Sequence, residues 1–141
     1  MADASKTNYI AYIHSFFTFT ITSYGFGDKS QVVNEDSLVA DPSKNPRSAR
    51  LIYAEQAVLK NGGACLRLAG LYTLDRGAHN FWLTSGKDVS GRADGMINQL
   101  HYDDAAGSVV AALAAGPPVV SGNIFLISDG HPMTRKEICE S

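Results

Sequence analysis

Five side chains of this sequence have the chemistry to bind a divalent ion: His79, His101, Asp103, Asp104 and His131. Imidazole and carboxylate together suit several such ions, yet their spacing matches no compact site. His101 followed by Asp103 and Asp104 instead has the pattern of a strand end running into a helix, with the acids over the unsatisfied N–H groups of the first turn. The sequence therefore predicts no metal. Arg67 sits inside Ala64-Cys-Leu-Arg-Leu-Ala-Gly-Leu-Tyr, a nearly continuous apolar run. Burying an unpaired guanidinium is costly, so Arg67 either reaches an acid such as Glu55 or lies at the strand's rim, and the ion pair is the favoured reading. Cys65 and Cys139 fit no metal-ligand or redox spacing and read as reduced, buried thiols.

These residues need elements to position them. Residues 9–23 are rich in β-branched and aromatic side chains and predict a strand; the glycines and polar residues that follow, through Pro42 and Pro46, predict a long loop. Asn45-Pro46 offers an N-cap residue and a proline at the first helical position. Leu51, Ala54 and Val58 recur at helical spacing and Gly62-Gly63 is a stop, so a helix is expected over residues 46–61. The apolar run 64–72 predicts a central strand covered on both faces, as in a parallel sheet. Residues 78–84 predict a short helix and 96–102 a short strand. Asp103 and Asp104 open a second helix over 103–115, whose Ala106, Val109, Val110 and Leu113 side is expected to face the sheet. Residues 122–128 predict a further strand, Asp129-Gly130 a turn, and Thr134 with Glu137 a capping box opening a last helix. The alternation of helix and apolar strand is α/β.

With 45% apolar and 18% charged residues, the 141-residue chain has the composition of a globular domain. A net charge of −2 without any basic run argues against nucleic acid as a partner. The most apolar stretch, 9–23, is interrupted by His14 and hydroxyl residues and falls short of the ~18 apolar residues of a membrane span. Nothing near Met1 has the pattern of a secretory signal, and a cytoplasmic location is the expectation.

Several blocks in one consistent order resemble a known family. Thr22-Ser-Tyr-Gly and Val32-Val-Asn-Glu-Asp-Ser are followed by Leu66-Arg-Leu-Ala-Gly-Leu-Tyr and Asn98-Gln-Leu-His-Tyr-Asp-Asp-Ala-Ala. The series closes with Gly122-Asn-Ile-Phe-Leu-Ile-Ser-Asp-Gly-His-Pro-Met-Thr-Arg-Lys-Glu. Together they resemble the C-terminal portion of atypical extended short-chain dehydrogenase/reductases, in the NAD-dependent epimerase/dehydratase group of the NAD(P)-binding Rossmann superfamily. Residues 21–141 would then be the substrate-side part of a Rossmann-like domain, while 1–20 match no part of the family and suggest an atypical start. The resemblance implies a partial Rossmann-like parallel sheet with flanking helices, and a small-molecule substrate of nucleotide-sugar or other carbonyl type.

The resemblance also assigns residues. Thr22 and Ser23 fall where the family's hydroxyl orients a substrate carbonyl, at a strand's C-terminal end, where open α/β sheets place ligands. Tyr24 could serve as a displaced acid/base, so Ser23 and Tyr24 are the catalytic candidates. Ser and Thr also suit a turn there, and a tyrosine a packed ring. Thr22, Tyr72 and Thr73 are the cofactor-binding candidates, the last two at the nicotinamide end, although Thr73-Leu74 replaces the family's frequent Gly-Pro. Two departures matter. No G-x-G-x-x-G or G-x-x-G-x-x-G pattern occurs, so the glycine-rich βαβ unit that carries the pyrophosphate is not found in the sequence. Aligning Glu55 with the family's helix glutamate places the Tyr-x-x-x-Lys pair on Arg47 and Leu51, so that pair is absent as well. NAD or NADP is thus expected in a full-length parent and only weakly, or not, on this chain. Three readings stay open: part of an NAD(P)-dependent epimerase, dehydratase or reductase; a non-catalytic family member; or a truncated product with no independent activity.

Overall fold

A computed structural model of the chain describes residues 33–39, 41–44, 46–86, 89 and 93–141. The strand expected over 9–23 lies outside the described residues. Helix α1 spans Pro46–Lys60. Its stop is a Schellman motif: Gly62, at φ 75°, donates its N–H to Leu59 O (3.0 Å), and Gly63 donates to Val58 O (2.9 Å). The chain then enters β1 (Cys65–Leu68) and β2 (Gly70–Tyr72).

β1 pairs in parallel with β5 (Ile124–Ile127), and its residues are all buried. Side-chain alternation divides them between two layers. Cys65 and Arg67 face α1, where the Cys65 thiol lies 3.8 Å from Glu55 O and Arg67 meets the Glu55 carboxylate. Leu66 and Leu68 join Ala69, Leu100 and Ala105 in the main core, on the other side. Because one apolar face is buried against each layer, the run carries little polarity apart from the paired arginine.

The expected single strand over 64–72 is instead two strands with different partners. Ala69 still donates to Ile127 O (2.9 Å), but Gly70 donates to Asn98 O (3.1 Å), and β2 pairs in parallel with β4 (Gln99–His101). Gln99 O, pointing the other way, accepts from Asp129 N (3.0 Å). β1 and β5 therefore separate beyond Ala69 and Ile127, and β4 enters between them. A Cβ on residue 70 would lie 3.3 Å from Asn98 O, which accounts for glycine at the fork. The strand expected over 96–102 is likewise divided. Met96–Ile97 forms β3, which pairs antiparallel with β6 (Met133–Thr134), and Tyr102 already belongs to the next helix.

That helix, α3 (Tyr102–Ala115), corrects the expected buried side. Ala105 and Ala112 are buried, with Val109 and Leu113 packed against the two core clusters, whereas Ala106 is exposed and Val110 is 65% exposed. The inward stripe runs through 105, 109 and 112, and positions 106 and 110 are turned about 100° away from 105 and 109 by the helical step. Its cap is also a correction: the first-turn donor is taken by the His101 imidazole, and Asp103 supplies the N–H. α3 ends at Gly116 (φ 73°), Pro117 opens the short α4 (Pro117–Val120), and Val120 completes a second core cluster with Ala64 and Ala112. Helix α2 (Ala78–Thr84) packs against the last helix, α5 (Arg135–Glu140), whose Thr134–Glu137 capping box is formed in full. Cys139, expected to be buried, is only partly so, while Cys65 is fully buried.

Candidate functional site at the ends of β2 and β4

Because β2 and β4 run parallel with Tyr72 paired to His101, their carboxyl ends finish level and side by side. Carboxyl ends of parallel strands are where open α/β sheets receive ligands. Tyr72 is held there edge-on by two imidazoles. The His101 ring lies 5.4 Å from it at an interplanar angle of 79°, and the His79 ring 6.2 Å away at 86°. Edge-to-face packing of this kind stabilises one ring orientation over others. Among the described residues the Tyr72 hydroxyl has no hydrogen-bond partner, so it is available as donor and acceptor to a ligand.

The chain leaves β2 in a tight turn. Thr73 N donates to Arg76 O (2.8 Å), Arg76 N donates to Thr73 O (3.4 Å), and the Thr73 hydroxyl donates to Asp75 Oδ1 (2.7 Å). That last bond holds the exposed Asp75 carboxyl below the ordinary aspartate range. Arg76 places its guanidinium 5.8 Å from the centroid of the Tyr102 ring, joining the turn to the start of α3. Gly77, at φ 136° and ψ −178°, lies in a backbone region open essentially to glycine alone. A Cβ there would meet His79 Cε1 and Nδ1 at 2.9 Å and Tyr72 Cβ at 3.0 Å, so the bare glycine is what lets the His79 ring close against the tyrosine.

A second polar cluster lies behind the sheet. Arg67 bonds both Glu55 oxygens and donates from Nη1 to Glu35 O (3.4 Å), while Glu35 Oε1 accepts from Leu126 N (2.9 Å) on the β5 edge facing away from β1. The Leu126 N–H, foremost, keeps the Glu35 carboxyl below the usual glutamate range. This cluster ties loop 33–39, α1, β1 and β5 together.

Of the residues singled out in the sequence, Tyr72 and Thr73 come together at the strand end. Thr22, Ser23 and Tyr24 lie outside the described residues. His79 and His101 both reach Tyr72, while His131 donates its N–H to Asp129 Oδ1 in a separate turn. Among the described residues no group of three or more His, Cys, Asp or Glu could hold a metal ion, and no helix is long and apolar enough to cross a membrane. The sequence reading missed that His79, His101 and Gly77 serve the same ring as Tyr72. The register of β2 on β4, which long-range pairing sets, was the information lacking.

No family model matches the chain, and no curated protein matches it in sequence. Solved structures do match in three dimensions. Pal from Bacillus thuringiensis aligns at a TM-score of 0.69 and 19% identity, over 89% of this chain and 44% of that one. The fold is part of a Rossmann-like α/β domain. A dTDP-glucose 4,6-dehydratase from Bacillus anthracis, solved in complex with NAD, aligns at 0.64 and 19% identity, over 85% of this chain and 42% of that one. A UDP-glucose 4-epimerase from Thermus thermophilus, also solved with NAD, aligns at 0.57 and 16% identity, over 89% and 45%. The Rossmann-like chain thus spans less than half the length of each of these proteins.

Proposed function

We propose that residues 21–141 are the substrate-side part of an NAD(P)-dependent epimerase, dehydratase or reductase acting on a nucleotide sugar or related carbonyl compound. The observation that carries this reading is the level pair of strand ends, where an imidazole-clamped Tyr72 and the Thr73 turn stand at the ligand-receiving end of a Rossmann-like sheet. The similar structures solved with NAD and named for dTDP-glucose and UDP-glucose support the choice of ligand class. In this reading Tyr72 and Thr73 orient the nicotinamide end of the cofactor, which supplies the hydride, and Ser23 and Tyr24 remain the proposed groups at the substrate carbonyl. The turn after β2 offers ring contacts and a hydroxyl. It does not offer the run of backbone N–H groups that a pyrophosphate requires, and no glycine-rich motif in the sequence does either.

Saturation-transfer NMR on the 141-residue chain with UDP-glucose, dTDP-glucose, glucose and UMP tests the reading. Saturation transfer to the nucleotide sugars that Tyr72→Phe weakens, with chemical-shift changes at residues 72–79 and 101 of the unaltered chain, is the expected result. Absence of shifts at residues 72–79 and 101 with all four compounds at millimolar concentration would contradict it.

One observation favours a second reading, a binding protein without redox chemistry. If Glu55 marks the family's helix glutamate, the positions of the catalytic tyrosine and lysine are occupied by Arg47 and Leu51, and Glu55 itself is committed to Arg67. Nucleotide-sugar binding without any oxidation of NADH in the presence of carbonyl substrates would favour it.

A further inference from the structure

We propose that His101 is a proton-operated positioning residue that links the cap of α3 to the orientation of Tyr72. Its Nδ1 accepts a hydrogen bond from the Asp103 N–H at 3.2 Å, which requires a lone pair on that nitrogen. The neutral ring must therefore carry its proton on Nε2. The same ring packs edge-on against Tyr72, its partner in the β2–β4 register. One imidazole thus serves the helix with one nitrogen and stands T-shaped against the Tyr72 phenol.

Protonation changes the first of these tasks. A proton taken from water onto Nδ1 removes the lone pair, and the Asp103 N–H loses its acceptor. The new Nδ1–H has a carboxylate within reach, because Asp103 Oδ2 already lies 3.5 Å away. Moving from the backbone N–H to that oxygen turns the ring, and the turn is felt at Tyr72. Among the described residues, the charged and titratable groups around the imidazole are Asp103 and Asp104 in the first turn of α3, Tyr72 on β2, and, across the tyrosine, His79 of α2. Arg76 and Asp75 lie in the turn beyond, with Arg76 set over the Tyr102 ring.

The inference concerns the site proposed above but needs no ligand for its test, so the two fail separately. Nitrogen-15 spectra of the histidine-labelled 141-residue chain, with His79, His101 and His131 assigned through single variants, report the tautomer directly. Expected at pH 8 is a His101 with an unprotonated Nδ1 and a protonated Nε2. Between pH 8 and pH 5 the Asp103 amide and the Tyr72 ring signals are expected to move together with His101. His101→Asn keeps a capping side chain but cannot titrate in this range, and in it the Asp103 movement is expected to vanish and the Tyr72 movement to shrink to the part that follows His79, while the fold is retained. A proton on Nδ1 at pH 8 would overturn the proposal, as would Tyr72 signals that follow pH equally well in His101→Asn.

Discussion

Arg67 of β1 and Glu55 of α1 form a buried ion pair in which Nη2 lies 2.8 Å from Oε2, with both side chains almost completely out of solvent. Among the described residues, Glu55 and Arg67 are the buried charged side chains. Breaking it from one side leaves an uncompensated buried charge, which ordinarily costs about 3–5 kcal/mol. Glu55→Ala and Arg67→Ala are each expected to fall in that range by urea denaturation. The double variant is expected to be less destabilised than the two losses added together, because neither charge is then stranded. Strict additivity would show that the two groups do not interact.

The face of α3 gives a second prediction. Val110 is 65% exposed and Ala112 is 8% exposed, against Ala64 and Val120. Val110→Asp is expected to change stability by no more than about 0.5 kcal/mol, the usual range for surface sites. Ala112→Asp puts an unpaired carboxylate into the second core cluster and is expected to cost several times that. Equal melting temperatures for the two variants would show that the helix is rotated from the position described.

Gly77 bears on the candidate site directly. Its φ of 136° and the 2.9 Å approach of His79 leave no room for a methyl group. Gly77→Ala is expected to destabilise by about 1–3 kcal/mol and to shift the ring signals of His79 and Tyr72, with those of His131 unmoved. An alanine variant with unchanged Tyr72 and His79 spectra would contradict the packing of the turn.

How much of this was legible in the sequence depends on the range of the interaction. The helix 46–60 and its stop, the capping box of Thr134 and Glu137, and the Arg67–Glu55 pair all follow from local spacing or from the penalty on a lone buried charge. The fork at Ala69 could not be read, because an apolar run looks the same whether it has one partner strand or two. The buried side of α3 was misassigned by a single helical step: Ala105 and Ala106 are alike in sequence, and only docking against β4 distinguishes them. His79 and His101 were noticed for their ligating chemistry, but their common neighbour Tyr72 is set by strand register. The proposed catalytic residues Ser23 and Tyr24 lie outside the described residues.

Acid should weaken the fold through carboxylates that accept hydrogen bonds. The Thr134 N–H and hydroxyl lower the Glu137 pKa, and the Leu126 N–H lowers that of Glu35. A depressed folded-state pKa contributes stability that is present above the unfolded value, about 4.3 for glutamate, and that is lost as pH falls through the folded value. These two carboxylates are therefore expected to leave the melting temperature unchanged above about pH 5 and to lower it below about pH 4.3. Glu137→Gln is expected to lower stability at pH 7 and to reduce the acid-dependent loss. A melting temperature that rises on acidification below pH 4 would contradict the sign.

We propose that residues 21–141 are the ligand-receiving, substrate-side part of a Rossmann-like domain, in a sequence that holds no glycine-rich motif for a pyrophosphate. Calorimetric titration of the chain with NAD and NADP, paired with NMR of the same samples, tests it most directly. Forgoing several charge-assisted hydrogen bonds, at roughly 1.5–3 kcal/mol each, moves a micromolar site to about millimolar or weaker. The expected result is a dissociation constant in that weak range, with the shifts that do occur centred on Tyr72, Thr73 and His101. A low-micromolar constant, or shifts confined to residues remote from β2 and β4, would contradict the account.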